Sequence, residues 1–259
     1  MISFFIKKAF FDGWDNLFSL AALNAVHLIL AFVSIVLPMS MGADGLTAFA
    51  CITVGIFLLS LWQSICAFAM CEVANYRSLG IKATLAFFPK ALKPGLLTGL
   101  FSVLIWFAVS VGIPFYIMQK GIVGVFLAGL LFWTCLVGLL VWQYYLPLEA
   151  RLGGGFKKNI RKAFILFLDN PGFSLFLFGY SILTIAVSAL PAFLAPGLAG
   201  LALAQADAVK LRMLKYEWLE STPNADKHAV PWNELLAEEK EMVGVRTLKG
   251  MIFPWKEGK

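Results

Sequence analysis

Charge is scarce in this chain: charged residues make up 14% and hydrophobic residues 60%. A soluble domain carries about 25% charged and 45–50% apolar residues. That shortage excludes an ordinary soluble fold. No Asp, Glu, Lys or Arg lies deep inside any of the long apolar runs, which argues against a pump coupled to protons or sodium ions. No Ser/His/Asp triad, metal-ligand cluster or phosphate loop is present, and the glycines at 153–155 lack the lysine a phosphate loop requires. The four cysteines, Cys51, Cys66, Cys71 and Cys135, match no zinc or redox spacing. They read as small packing residues. No disulfide framework, metal or cofactor is implied. The opening "MISFFIKKAFFDGWDN" lacks the basic-then-apolar order of a cleavable signal.

What is there instead is a set of long apolar runs. Six are legible: Leu17–Pro38, Leu46–Met70, Gly95–Met118, Ile122–Tyr145, Phe173–Leu194 and Ala195–Val209. A membrane-spanning helix needs about 20 apolar residues. The last run is short, and its helix is expected to continue into "KLRMLKYEWLE". The fold class is therefore all-α: a polytopic membrane protein of six transmembrane helices. Residues 1–220 form the membrane domain and 221–259 a cytoplasmic tail. Of 21 Lys and Arg residues, only Lys120 falls on the side opposite the rest. The positive-inside rule puts both termini in the cytoplasm, N-in/C-in. The net charge of +6 lies beside aromatics at one membrane face, an arrangement for anionic headgroups of the lipid bilayer and not for nucleic acid.

One line of sequence recurs. "KKAFFDGWDNLFSL" at 7–20, "PKALKPGLLTGLFSV" at 89–103 and "RKAFILFLDNPGFSL" at 161–175 align on Lys8, Lys90 and Lys162. A Phe-Ser pair follows each lysine after 10, 11 and 11 residues. Pro38, Pro114 and Pro191 mark the outer ends of the odd-numbered spans. Glu72, Glu149 and Asp207 close the even-numbered ones, each with a base soon after. This predicts three parallel repeats, at about 1–76, 77–152 and 153–220, each an interfacial amphipathic helix plus a helical hairpin. In the third, Phe156, Ile160, Ala163, Phe164 and Phe167 share one helical face opposite Lys157, Lys158, Arg161 and Lys162. Asp15-Asn16 and Asp169-Asn170 are expected to cap the spans that follow. A carboxylate at a helix C-terminus opposes the macrodipole. Lys8, Lys90 and Lys162 are therefore expected to neighbour Glu72, Glu149 and Asp207 in an acid–base ring.

Four stretches resemble the YesL-like family of bacterial six-helix membrane proteins. They are "DNLFSLAALNAV" (15–26), "YYLPLEARLGG" (144–154), "NIRKAFILFLDNPGFSLFLF" (159–178) and "PGLAGLALAQADAVKLRMLKYE" (196–217). The resemblance covers about Phe10 to Tyr216. It implies six helices, a bacterial plasma (inner) membrane and association with carbohydrate ABC uptake systems. It implies no catalytic residue.

Asn24, His27, Gln63, Gln143 and Gln205 are polar residues within the spans. They mark either a functional site or interhelical hydrogen bonds. Gly197, Gly200, Ala202, Ala204 and Ala206 make the sixth span smooth, suited to a central position or to self-association, so a homo-oligomer is open. In the tail, "PWNELLAEEKEMV" (231–243) reads as one short helix with Asn233 as cap, which either folds back or docks on a partner. These features point to a non-enzymatic accessory or assembly protein, for which the resemblance implies ABC transporter subunits as partners. A permease-like subunit lining a substrate path is the alternative, and a membrane enzyme acting on lipid a third.

Overall fold

The structure, a computed structural model, describes residues 1–119, 121–222, 226–227 and 229–246. Lys120 and the "TLKGMIFPWKEGK" end of the tail lie outside these. Among the described residues all regular structure is helical. In chain order the helices are α1 (Ile2–Asp15), α2 (Leu17–Ser40), α3 (Gly45–Ala74), α4 (Ile81–Leu85), α5 (Phe88–Met118), α6 (Ile122–Leu152), α7 (Phe156–Asp169), α8 (Pro171–Ser188), α9 (Gly197–Ser221), α10 (Trp232–Leu235) and α11 (Ala237–Val243). Five of them, α2, α3, α5, α6 and α8, are long and apolar enough to cross a membrane, which makes this a multi-pass membrane protein. The run Ala195–Val209 lies mostly in α9. Its apolar stretch stops at Asp207, and α9 falls outside that set of five.

Local chemistry sets the helix ends. Asp44 caps α3, its carboxylate accepting from the Thr47 amide at 2.7 Å. Pro171 occupies the first turn of α8, where its missing N–H costs nothing. Gly153, Gly154 and Gly155 all have positive φ, at 60°, 92° and 87°, so the α6–α7 joint needs residues without a Cβ. Two spans widen before a proline. Phe32–Val36 precedes Pro38 and Ala108–Gly112 precedes Pro114, and both form a π turn. Proline clashes with the carbonyl four residues back, and a wider turn relieves the clash. In each case a serine lies at that position. Ser34 Oγ donates to Leu30 O at 2.5 Å and Ser110 Oγ to Trp106 O at 2.7 Å. Pro191 differs, because it follows the end of α8 in a turn where Ala192 and Phe193 have positive φ.

The expected Asp-Asn caps do not form. Neither Asn16 nor Asn170 makes a side-chain cap hydrogen bond. Asn170 instead accepts from Arg212 at 2.9 Å, and Asp169 accepts from Tyr216 Oη at 3.1 Å. The pair ties α7 to α9, since charge-assisted bonds to a basic helix outcompete a local cap. The amphipathic helix α7 buries one narrow stripe and leaves aromatics of its apolar face open, as an interfacial helix does. Asn159, Ala163 and Leu166 are buried, while Phe156 and Phe164 remain exposed.

α3 and α9 form the centre. α3 is buried almost continuously from Ser64 to Ala74, and α9 from Ala199 to Val209 apart from Leu201 and Gln205. Small residues permit this approach. α5 brings Ala91, Gly95 and Gly99 against α3. A Cβ on Gly95 would lie 3.0 Å from Leu61 Cα, and one on Gly99 would lie 2.5 Å from the Phe57 ring. The smooth face of α9 is thus spent on a central position. The cysteines are free, with Cys66, Cys71 and Cys135 buried and Cys51 partly so. Gly95→Leu is expected to cost about 1–3 kcal/mol through overpacking, read as a fall in melting temperature in detergent. Gly129→Ala, whose added methyl meets nothing within 4 Å, is expected to leave that temperature unchanged or slightly raised.

Candidate functional site

Lys8 sits on α1 and is fully buried. A buried ammonium needs compensation from every direction. Its Nζ lies 2.5 Å from Asp12 Oδ2, one turn along α1, and 3.3 Å from Asp207 Oδ1 on α9. It donates to Ala74 O at 3.1 Å and stands 3.7 Å from Glu239 Oε2 on α11. The ring of Tyr76, just past α3 and held at φ 63°, lies 4.0 Å below it. Lys210, one turn beyond Asp207, repeats the pattern. Its Nζ contacts Glu239 Oε1 at 2.5 Å and donates to Ala74 O at 2.9 Å. Tyr76 Oη donates to the second Glu239 oxygen at 2.7 Å.

Ala74 O therefore accepts from two ammonium groups at the C-terminus of α3. This satisfies a terminal carbonyl and offsets the negative end of the helix dipole. Burial alone would lower the proton affinity of Lys8, but Asp207 and Asp12 outweigh it and hold the ammonium above its ordinary 10.5. Burial would likewise raise Glu239, yet the hydrogen bonds from Lys210 and Tyr76 keep it below its ordinary 4.5. Burial, and then the Glu239 hydrogen bond, push the Tyr76 phenol up, so it stays a donor. For Asp12 burial wins over Lys8, and its carboxyl rises above 3.8. Three carboxyl groups therefore face two ammonium groups.

Glu239 reaches the cluster because the tail folds back under the bundle. Leu236 and Val243 are buried, Leu236 packing with Phe5, Tyr144 and Leu148, and Trp232 lies against the same group. Lys7 donates to Gly244 O at 2.8 Å, and Arg246 pairs with Asp15 at 2.8 Å while covering the Phe11 ring. The tail helix is two pieces, and Asn233 accepts from the Lys240 ammonium instead of capping.

Of the six residues expected in an acid–base ring, the structure brings Lys8 and Asp207 together. Glu72 pairs with Arg77 at 2.9 Å. Glu149 accepts from Asn159, which also holds Gly153 O at 2.6 Å. Lys90 is exposed, Lys162 is half-buried, and neither makes an ion pair among the described residues. The sequence reading passed over Asp12 and Glu239. The Lys8–Asp12 spacing of four on an amphipathic helix was the available signal for the first.

The intramembrane polar residues divide into two groups. Asn24 is consumed by structure: it donates to Leu194 O and Pro196 O at 3.0 and 2.7 Å and accepts from the Ala199 amide at 2.8 Å. It thereby ties α2 to the start of α9. His27 is buried beside Trp62, with Nδ1 3.3 Å from Leu23 O and Nε2 unpartnered among the described residues. Both line a small cavity of about 190 Å³. Gln63, Gln143 and Gln205 line a second one, of about 380 Å³. The two cavities share Leu59, Ile185 and Leu198 as a common wall.

Lys8→Met should destabilise the protein by about 3–5 kcal/mol, the cost of leaving buried carboxylates unpaired, measured by thermal melting in detergent. The grip of Glu239 should depend on pH. Its depressed folded value means the stabilisation is fully present above 4.5 and lost as pH falls through that lower value. Cleavage within α10 and α11 by an acid-active protease should therefore accelerate below about pH 4.5. With Glu239→Gln the rate should be high already at neutral pH. No family model, curated protein or solved structure matches the chain.

Proposed function

We propose that this chain is a YesL-like, non-enzymatic accessory or assembly protein of the bacterial plasma membrane, associated with a carbohydrate ABC uptake system. The observation that carries the reading is the cytoplasmic cluster around Lys8. It joins α1, the end of α3, α9 and the tail into one rigid face, suited to holding a partner at a fixed orientation. No ionisable side chain lines either cavity except His27, so the interior offers no carboxylate relay for ion coupling.

In this reading α9 is the sixth span. Its segment Leu198–Ala206 packs between other helices, so it needs less hydropathy than a lipid-facing helix. The chain sits N-in/C-in, with the basic face of α7 toward anionic headgroups. The matched π turns before Pro38 and Pro114 support an internal repeat. So does the burial of Ala9, Ala91 and Ala163 beside the three aligned lysines. The third unit keeps the alanine but not the π turn.

A second reading, a subunit that itself lines a substrate path, is favoured by the two cavities that abut at Leu59, Ile185 and Leu198. Two measurements on intact cells and mild-detergent extracts test the primary reading. Met41→Cys and Met118→Cys, at exposed loop ends, should react with an impermeant maleimide from outside, and Lys158→Cys should not. The tagged full chain should co-purify with the subunits of an ABC importer, and a tagged importer should retrieve the chain. External labelling at Lys158→Cys would overturn the topology. A monodisperse chain with no importer in either direction would overturn the association.

A further inference from the structure

The larger cavity has a mainly apolar wall of Leu, Ile and Phe side chains into which neutral polar groups are set. Ser60, Gln63, Thr98, Ser102, Gln143 and Gln205 contribute hydroxyls and amides, and no ionisable side chain lines it. At about 380 Å³ it falls in the size range of small-molecule sites. Four polar side-chain atoms of its lining residues are buried with no partner among the described residues: Gln63 Oε1, Thr98 Oγ1, Gln143 Oε1 and Trp142 Nε1. Thr98 and Gln143 are each only 8% exposed. These residues come from three helices, α3, α5 and α6.

The amides are not free to turn. Gln143 Nε2 donates to Leu140 O at 2.9 Å and to Ser174 O at 3.0 Å, and Gln63 Nε2 donates to Leu198 O at 3.2 Å. Each amide nitrogen is spent on backbone, so the Gln143 carbonyl oxygen is left as an oriented acceptor, while that of Gln63 also faces the His27 ring. Trp142 stacks its ring on Phe101 at 4.0 Å, and the indole N–H is left as a donor. A buried polar group without a partner costs about 1–3 kcal/mol, and the bilayer supplies no water to relieve it.

The ligand class follows from what is missing. The acceptors ask for donors, and the indole asks for an acceptor. A metal or ammonium ion would satisfy the carbonyls but not Trp142, and no carboxylate is present to offset its charge. A molecule with several hydroxyl groups supplies both donors and acceptors without charge. We propose that this cavity is a binding site for a small uncharged polyhydroxylated molecule, a polyol or a monosaccharide. The site stands whether or not the molecule crosses the membrane, and apart from any association with an importer.

The test uses the full chain in nanodiscs of phosphatidylethanolamine and phosphatidylglycerol, with radiolabelled glycerol, xylitol, ribose and glucose as probes in equilibrium dialysis. At least one should bind saturably. The double variant Gln63→Leu/Gln143→Leu should weaken that binding about tenfold or more, the loss of one to two hydrogen bonds. Its melting temperature without probe should be equal or higher, because two orphaned acceptors are gone. A purely structural role for the amides would lower it. Should the double variant aggregate, Thr98→Val removes one hydroxyl at nearly constant shape and should weaken binding about fivefold. Saturable binding by none of the four probes would overturn the proposal. So would affinity unchanged in the folded variants, or saturable binding of rubidium ions in place of the uncharged probes.

Discussion

One buried ammonium holds one end of this protein together. Lys8 cannot stay charged at zero exposure unless carboxylates, a carbonyl and an aromatic face surround it. Those groups come from α1, α9, the end of α3 and the tail, which are separated by most of the chain. The requirement therefore fixes where four segments meet. It also makes the tail part of the fold, since Glu239 holds Lys210 and Tyr76 as well as facing Lys8. Hydrophobic packing of Leu236 and Val243 supplies area. The ionic cluster supplies register, because moving α11 by one turn would take Glu239 away from Lys210 and Tyr76.

The membrane half obeys a different constraint. Lipid offers no hydrogen bonds, so polar groups must find partners inside the bundle. Asn24 does so completely by bridging to the start of α9, and Ser188 does so by accepting from the Gly197 amide at 2.8 Å. Ser34 and Ser110 return their hydroxyls to the helices widened by proline. Against that pattern the unpartnered atoms around the larger cavity stand out as a departure with a cost. Sites that break a rule obeyed elsewhere in the same molecule are where function is expected.

Legibility in the sequence followed range. Periodicity and hydropathy found the long apolar helices, because twenty apolar residues in a row leave few options. They also located the polar residues of the interior. That Lys8 and Asp207 belong to one acid–base set could be anticipated from helix ends that needed a counter-charge, but not which lysine meets which acid. Other partnerships depended on tertiary geometry that no local pattern carries. Asp169-Asn170 reads as a cap in isolation, yet Arg212 and Tyr216 claim both side chains from a helix some forty residues away. Glu149 looked like a partner for a lysine, and a buried asparagine took it once the three glycines folded α7 back. Glu239 lay in a tail whose composition fits both a solvated helix and a docked one.

The two halves are not independent, because α3 and α9 run through both. α3 carries Gln63 in the cavity wall and ends at Ala74 O between the two lysines. α9 carries Gln205 at the cavity and Asp207, two residues on, in the cluster. A shift of α9 that changed the cavity would displace Asp207 and Lys210 together. With Ala74 O fixed between Lys8 and Lys210, the cluster resists such a shift. Coupling of this kind is a differential free energy between two arrangements of one rigid helix, and it acts in both directions. A molecule held at Gln63 and Gln143 stiffens the same seam that Lys8 clamps from below. Loosening the clamp at Glu239 frees α9 at its charged end. The chain thus places its uncharged polar interior and its only buried ion cluster among the described residues on the same two helices, so each sets the mechanical boundary of the other.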